Sequence, residues 1–123
     1  MSQSELIKAV KASDFESFIM ANSIVFVDFW ATWCAPCMQF SAVYETVAKE
    51  YPSIVFATVN IEHEPSLAEL FSIRSIPHLM VFKEGIAIYS ESGSMPASTL
   101  KELADQALLV DVSTIREATD DKA

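Results

Sequence analysis

The stretch Phe26-Val27-Asp28-Phe29-Trp30-Ala31-Thr32-Trp33-Cys34-Ala35-Pro36-Cys37 restricts this chain more than any other. From residue 24 to 30 the sequence is nearly continuous in β-branched and aromatic residues, as expected of a strand buried on both faces. Beyond the break at Ala31-Thr32 the spacing becomes helical, with Phe40, Val43, Tyr44 and Val47 at three- and four-residue intervals. Cys34 and Cys37, the only two cysteines, therefore fall on the first turn of a helix that follows a buried strand. Tyr51-Pro52-Ser53 stops that helix, and residues 54–61 form a second apolar run. Strand, helix and strand close as a βαβ unit, for which a right-handed crossover is expected.

The flanking segments complete an α/β domain. Residues 4–21 read as one helix, with Ser13 and Glu16 at capping-box spacing and Phe15, Phe18 and Ile19 on one face. A short helix covers 65–71, with Ser66 and Glu69 in the same spacing. Arg74-Ser75-Ile76-Pro77 turns into a strand at 78–83, Glu84-Gly85 is a two-residue hairpin signal, and 86–91 returns antiparallel. Pro96 opens a last helix with Leu100, Leu103, Ala104, Ala107 and Leu108 on one side. The expected architecture is a central mixed sheet of four strands, edged by a fifth, with helices on both faces. One domain spans 1–109, and 110–123 form an acidic C-terminal tail. In that tail Val110, Val112 and Ile115 are available for packing, and 117–123 are expected to be disordered.

Charge narrows the partners. A formal charge of −9 opposes nucleic acid, whose phosphates demand a basic face, and opposes an anionic membrane surface. Glu5, Lys8, Lys11 and Asp14 interrupt any secretory leader, and no run approaches the ~18 apolar residues of a membrane span. The expected compartment is the cytoplasm. There a stable disulfide is disfavoured, and a cysteine pair is catalytic or metal-binding.

Cysteines at i and i+3 on a helix are spatial neighbours. At the helix N-terminus, free N–H groups and the macrodipole favour an anion, so a thiolate there has a lowered pKa and becomes nucleophilic near neutral pH. The second thiol is close enough to resolve a mixed disulfide. A zinc site remains an alternative. It needs two further ligands, for which His63 and His78 are the only candidates besides carboxylates. Two ordinary buried cysteines are the plainest alternative. The spacing and the preceding βα turn favour redox chemistry. Asp28, a carboxylate inside an apolar strand, is expected to have a raised pKa from desolvation.

These residues, with Ile73-Arg74-Ser75-Ile76-Pro77, Gly85 and Gly93 at matching spacing, resemble the thioredoxin family over about residues 5–109. The resemblance implies the thioredoxin fold and protein-disulfide reduction by dithiol–disulfide exchange. It implies that Cys34 attacks, that Cys37 resolves, and that Asp28 sits behind Cys37 and manages its proton. The Cys34–Cys37 disulfide would be the redox-active centre. Pro77 would match the family's cis-proline, with Ile76 presenting its backbone to substrate. Trp33, Ala35, Pro36, Ile76, Pro77 and Gly93 would form the substrate-facing surface. No bound cofactor or metal is implied. NADPH would act indirectly, through a thioredoxin reductase, on a monomer whose substrates are disulfide-containing proteins.

Five positions depart from the family pattern. Ala35 stands where glycine is usual, Met38 and Thr58 where lysines are common, and His78 where threonine is frequent. The two missing cations weaken thiolate stabilisation, and a protonated His78 near Cys34 is a candidate modulator that would restore it. Ala42 replaces a kinking proline, so a straighter helix is expected. Two other functions remain open at this point. One is a dedicated redox partner of a single enzyme; the other is a non-catalytic thioredoxin-like binding module.

Overall fold

A computed structural model describes residues 6–113. Its sheet is built on β2 (Ile24–Trp30), the apolar run that precedes the cysteines. A parallel strand, β3 (Val55–Asn60), lies on one side of β2, and an antiparallel strand, β4 (His78–Lys83), lies on the other. Short β1 (Ile7–Ala9) adds parallel to β3, and β5 (Ile86–Ser92) adds antiparallel to β4, which gives the order β1-β3-β2-β4-β5. The central place of β2 explains its nearly continuous apolar sequence, because both of its faces are covered.

Alternation along the strands divides the interior in two. On one face Phe26, Phe56, Leu79 and Val81 pack beneath α2 (Ala35–Ala48) and α4 (Ala97–Leu109), which contribute Phe40, Tyr44, Val47, Leu100 and Ala104. On the other face Val25, Val27, Phe29, Val59, Met80 and Phe82 pack beneath α1 (Ala12–Ala21) and α3 (Pro65–Leu70) through Phe15, Ile19 and Leu67. The hairpin turns through Glu84 (φ 52°) and Gly85 (φ 80°). Two consecutive positive φ values match the twist of a two-residue hairpin. A Cβ on Gly85 would also run into the Met20 sulfur. Among the described residues no helix is long and apolar enough to cross a membrane.

Several local expectations are corrected. Residues 4–21 are not one helix: Ile7–Ala9 pair with Phe56–Thr58, and α1 starts only at Ala12. Pairing at the sheet edge satisfies the backbone there and overrides weak helical periodicity. Because α1 starts at Ala12, Ser13 lies inside the first turn and caps nothing. The Ala12 N–H donates instead to Glu64 Oε1 at 2.9 Å, a cap supplied from far along the chain. Ser66 likewise follows Pro65, the first residue of α3, and Glu64 holds the cap position with no side-chain bond to that helix. Leu108 is exposed, because α4 turns it away from the face that buries Leu100, Ala104 and Ala107. The long helix α2 runs without interruption through Ala42.

Beyond α4 the chain stays in contact with the domain. Val112 is buried, and Lys83 Nζ donates to the carbonyls of Ala107, Leu108 and Val110 at 2.8, 3.1 and 2.7 Å. That ammonium closes the C-terminal end of α4, where carbonyls lack helical partners. The remainder of the tail, including Ile115 and residues 117–123, lies outside the described residues.

Candidate active site

The C-terminal end of β2 delivers the chain into a tight turn. The Cys34 N–H reaches back to the Ala31 carbonyl at 3.3 Å. Glu62, just past the end of β3, holds the outer side of the turn by accepting from Thr32 N (3.2 Å) and Thr32 Oγ1 (2.9 Å). Cys34 is then the N-cap of α2. Its Sγ accepts from the Cys37 N–H at 3.2 Å, and its carbonyl accepts from the Met38 N–H at 3.2 Å. Sulfur thus takes the place that a serine or aspartate oxygen usually fills at a cap. The first turn carries no acidic residue, so negative charge on that sulfur would be favoured by the Cys37 N–H and the positive helix end.

Cys34 and Cys37 are joined as a disulfide with Cα atoms 5.2 Å apart. Their exposures differ, at 5% for Cys34 and 1% for Cys37. The Ile76 carbonyl oxygen lies 3.7 Å from Cys34 Sγ. The Ile76–Pro77 peptide is cis, and the Pro77 carbonyl accepts from the Gly93 N–H at 2.7 Å. Gly93 has φ +110°, a conformation that side chains rarely adopt, although the space around it is open. The three separate chain segments around Cys34, Ile76-Pro77 and Gly93 therefore meet at one end of the sheet. Trp33 stands out there, 68% exposed, and Ala35 and Pro36 are exposed on the same rim.

Asp28 lies below, 2% exposed on β2. It shares the sheet face of Phe26, under α2, and pairs in register with Thr58 on β3 and Leu79 on β4. Its Oδ1 has no hydrogen-bond partner. Burial pushes its carboxyl up to about 8, because the charged form loses its hydration. Asp28, Cys37, Met38, Ser41, Thr58, Ile7 and Trp30 together line a cavity of about 240 Å³. Tyr44 is buried nearby and donates to the Ala57 carbonyl at 2.8 Å. Burial, together with the charge of Asp28, holds its hydroxyl well above the usual phenol range.

His78, next after Pro77, is bonded across to β5. Its Nε2 is 2.8 Å from Ser90 Oγ on β5, and its ring meets Phe29 edge-on at 6.2 Å. Alternation along β4 puts it on the face of Met80 and Phe82, opposite Asp28. Burial lowers its pKa, with Glu91 acting in the opposite sense. That direction favours the neutral ring over the charged form named as a candidate modulator.

Three features of the site escaped the sequence. The Glu62–Thr32 latch had a signal, since adjacent parallel strands end together and a carboxylate just past β3 can reach the turn after β2. Ser41 and Ile7 line the cavity only because α2 and β1 flank Asp28, and neither residue type announces such a role.

The thioredoxin family profile matches residues 6–106. A putative thioredoxin 2 from Streptomyces coelicolor is 40% identical over 105 residues, covering 85% of this chain and 78% of that protein. Thioredoxin 1 of Synechococcus elongatus is 39% identical over 102 residues, covering 81% and 95%. Among solved structures, a Plasmodium falciparum thioredoxin superposes with a TM-score of 0.75 at 34% identity, over 80% of this chain and 97% of that one. A mutant thioredoxin from Halobacterium salinarum gives a TM-score of 0.79 at 24% identity over 85% and 93%, a likeness of fold alone. With its disulfide-capable cysteine pair at the head of α2, the chain belongs to the thioredoxin family and is a thiol–disulfide oxidoreductase acting on protein disulfides.

Proposed function

We propose that this oxidoreductase works as a reductant, a cytoplasmic electron donor to protein disulfides. Reduced Cys34 attacks a substrate sulfur as a thiolate and breaks the substrate disulfide, so one substrate thiolate leaves. Cys37 then gives up its proton and attacks Cys34 Sγ. The second substrate sulfur departs as a thiolate, and Cys34–Cys37 is oxidised in its place. Asp28 lines the same cavity as Cys37, and the fraction of it that is ionised near neutral pH accepts the Cys37 proton. The observation that carries this reading is the capping geometry: Cys34 Sγ receives the Cys37 N–H at the positive end of α2.

Trp33, Ala35, Pro36, Ile76, Pro77 and Gly93 form the rim against which an extended substrate segment lies, with the Ile76 carbonyl as backbone acceptor. The protein acts as a monomer, which leaves this rim free. It binds no cofactor itself. NADPH supplies the electrons through a flavin-containing thioredoxin reductase that returns the pair to the dithiol.

The reduction potential of the Cys34–Cys37 pair against glutathione tests the direction. A value near the roughly −270 mV of thioredoxin supports a reductant, and one near the roughly −120 mV of a strong dithiol oxidant reverses the assignment.

A further inference from the structure

Beneath the active-site helix, Asp28 is a buried carboxyl group whose Oδ1 has no partner and which borders a cavity of about 240 Å³. That volume has room for several waters at about 30 Å³ each, or for a short organic chain. Beside Asp28 it is lined by Ile7, Trp30, Cys37, Met38, Ser41 and Thr58. Asp28 is the one charged residue type in this lining, so the pocket presents a carboxyl acceptor, two hydroxyls and an aromatic wall without a counter-cation. Carboxylate, hydroxyl and indole are what a primary ammonium group needs: charge-assisted hydrogen bonds to oxygen and a ring beside the cation. The methylene stem of an alkylammonium would lie along Ile7 and Met38.

We infer that this cavity is a binding site for an alkylammonium group, which pairs with Asp28 while its chain lies along the apolar wall. The group can come from a free small amine or from a lysine side chain of a docked protein, and both present the same chemistry.

Occupancy carries a proton signature. The groups facing Asp28 are Cys37 and Tyr44 from α2, Thr58 from β3, Ile7 from β1 and Leu79 from β4. With the disulfide formed, Cys37 does not titrate, and Tyr44 stays protonated because its pKa lies well above the usual phenol value. An entering ammonium therefore meets a protonated Asp28 at neutral pH and displaces that proton to solvent, leaving an ammonium–carboxylate pair. Amine affinity should fall about tenfold per unit as pH drops below 8 and should level off above it. The binding does not depend on Asp28 serving Cys37. If Asp28→Asn left protein-disulfide reduction intact, the catalytic role would fall and the amine site would stand.

The test is calorimetric titration of the oxidised protein with n-propylammonium chloride at pH 6 to 9, with n-propanol and tetramethylammonium as controls. The expected result is saturable binding of n-propylammonium alone, with proton release and the pH dependence above. Asp28→Asn should weaken it at least tenfold. Ser41→Leu, which puts a bulkier side chain at an exposed position of the lining and keeps the carboxyl, should weaken it similarly. A second arm compares two disulfide peptides that differ only in lysine against norleucine beside the cysteine. A lower KM for the lysine peptide that is lost in Ser41→Leu assigns the natural source to a partner's side chain, and equal KM values assign it to a free amine. Absence of saturable heat with the wild type, or binding unchanged in Asp28→Asn, overturns the proposal.

Discussion

Asp28 and Thr58 stand opposite each other across the parallel β2–β3 pair, and the Asp28 Oδ1 receives no hydrogen bond there or elsewhere among the described residues. A carboxyl group so placed in the centre of a sheet is held neutral by its surroundings. That cost is retained directly beneath the resolving cysteine.

Asp28 makes stability depend on pH in a defined sense. Its folded pKa, about 8, lies above its unfolded value of about 4, so the folded state holds the proton through that window. Stability should therefore fall as pH rises from about 4 to 8, by up to about 1.4 kcal/mol per unit, and the loss should flatten above 8. Urea unfolding of the oxidised protein across this range checks it. Asp28→Asn should remove most of the slope and should stabilise the protein most at the alkaline end.

The two thiols of the reduced protein should differ in reactivity. Cys34, capping α2, should alkylate with a midpoint below the ~8.5 of a free thiol, whereas Cys37 should be protected at the same pH. Mass spectrometry after timed iodoacetamide treatment resolves the two. His78→Thr should leave the Cys34 profile where it is, because the ring bonds Ser90 and sits on the opposite face of the sheet from Asp28. A shift of the Cys34 midpoint in that variant would return His78 to the mechanism.

Lys83 ties the end of β4 to the end of α4. Its ammonium satisfies three carbonyls, so Lys83→Met should destabilise the fold by about 1 to 3 kcal/mol. Hydrogen exchange should show the loss first at residues 107–110. The Cys34 alkylation profile should not change, since Lys83 closes the end of β4 opposite to the one that Pro77 leads into beside Cys34.

Much of this architecture is written in local patterns. The run 24–30 announces an interior strand because only strands inside the sheet bury both faces, and Glu84-Gly85 announces its hairpin through the backbone conformations it needs. The cysteine spacing and the aspartate in the strand single out the site, since both residues are out of place in an ordinary core. What escaped depends on distant partners. The Ile7–Ala9 strand exists because β3 offers an edge, and the start of α1 is set by a carboxylate from Glu64 rather than by its own Ser13. His78 follows the same logic: the neighbours of its ring, Ser90 and Phe29, come from adjacent strands and not from its own segment.

The central claim is that Cys34 attacks and Cys37 resolves. Incubating Cys37→Ser with a disulfide peptide and mapping the adduct by mass spectrometry tests it most directly. The expected result is a stable mixed disulfide on Cys34 and none from Cys34→Ser, with no adduct accumulating on the wild type, where Cys37 releases it. An adduct that forms on Cys37 in Cys34→Ser at a comparable rate, or no adduct on Cys34 in Cys37→Ser with its thiol shown to be free, would contradict it.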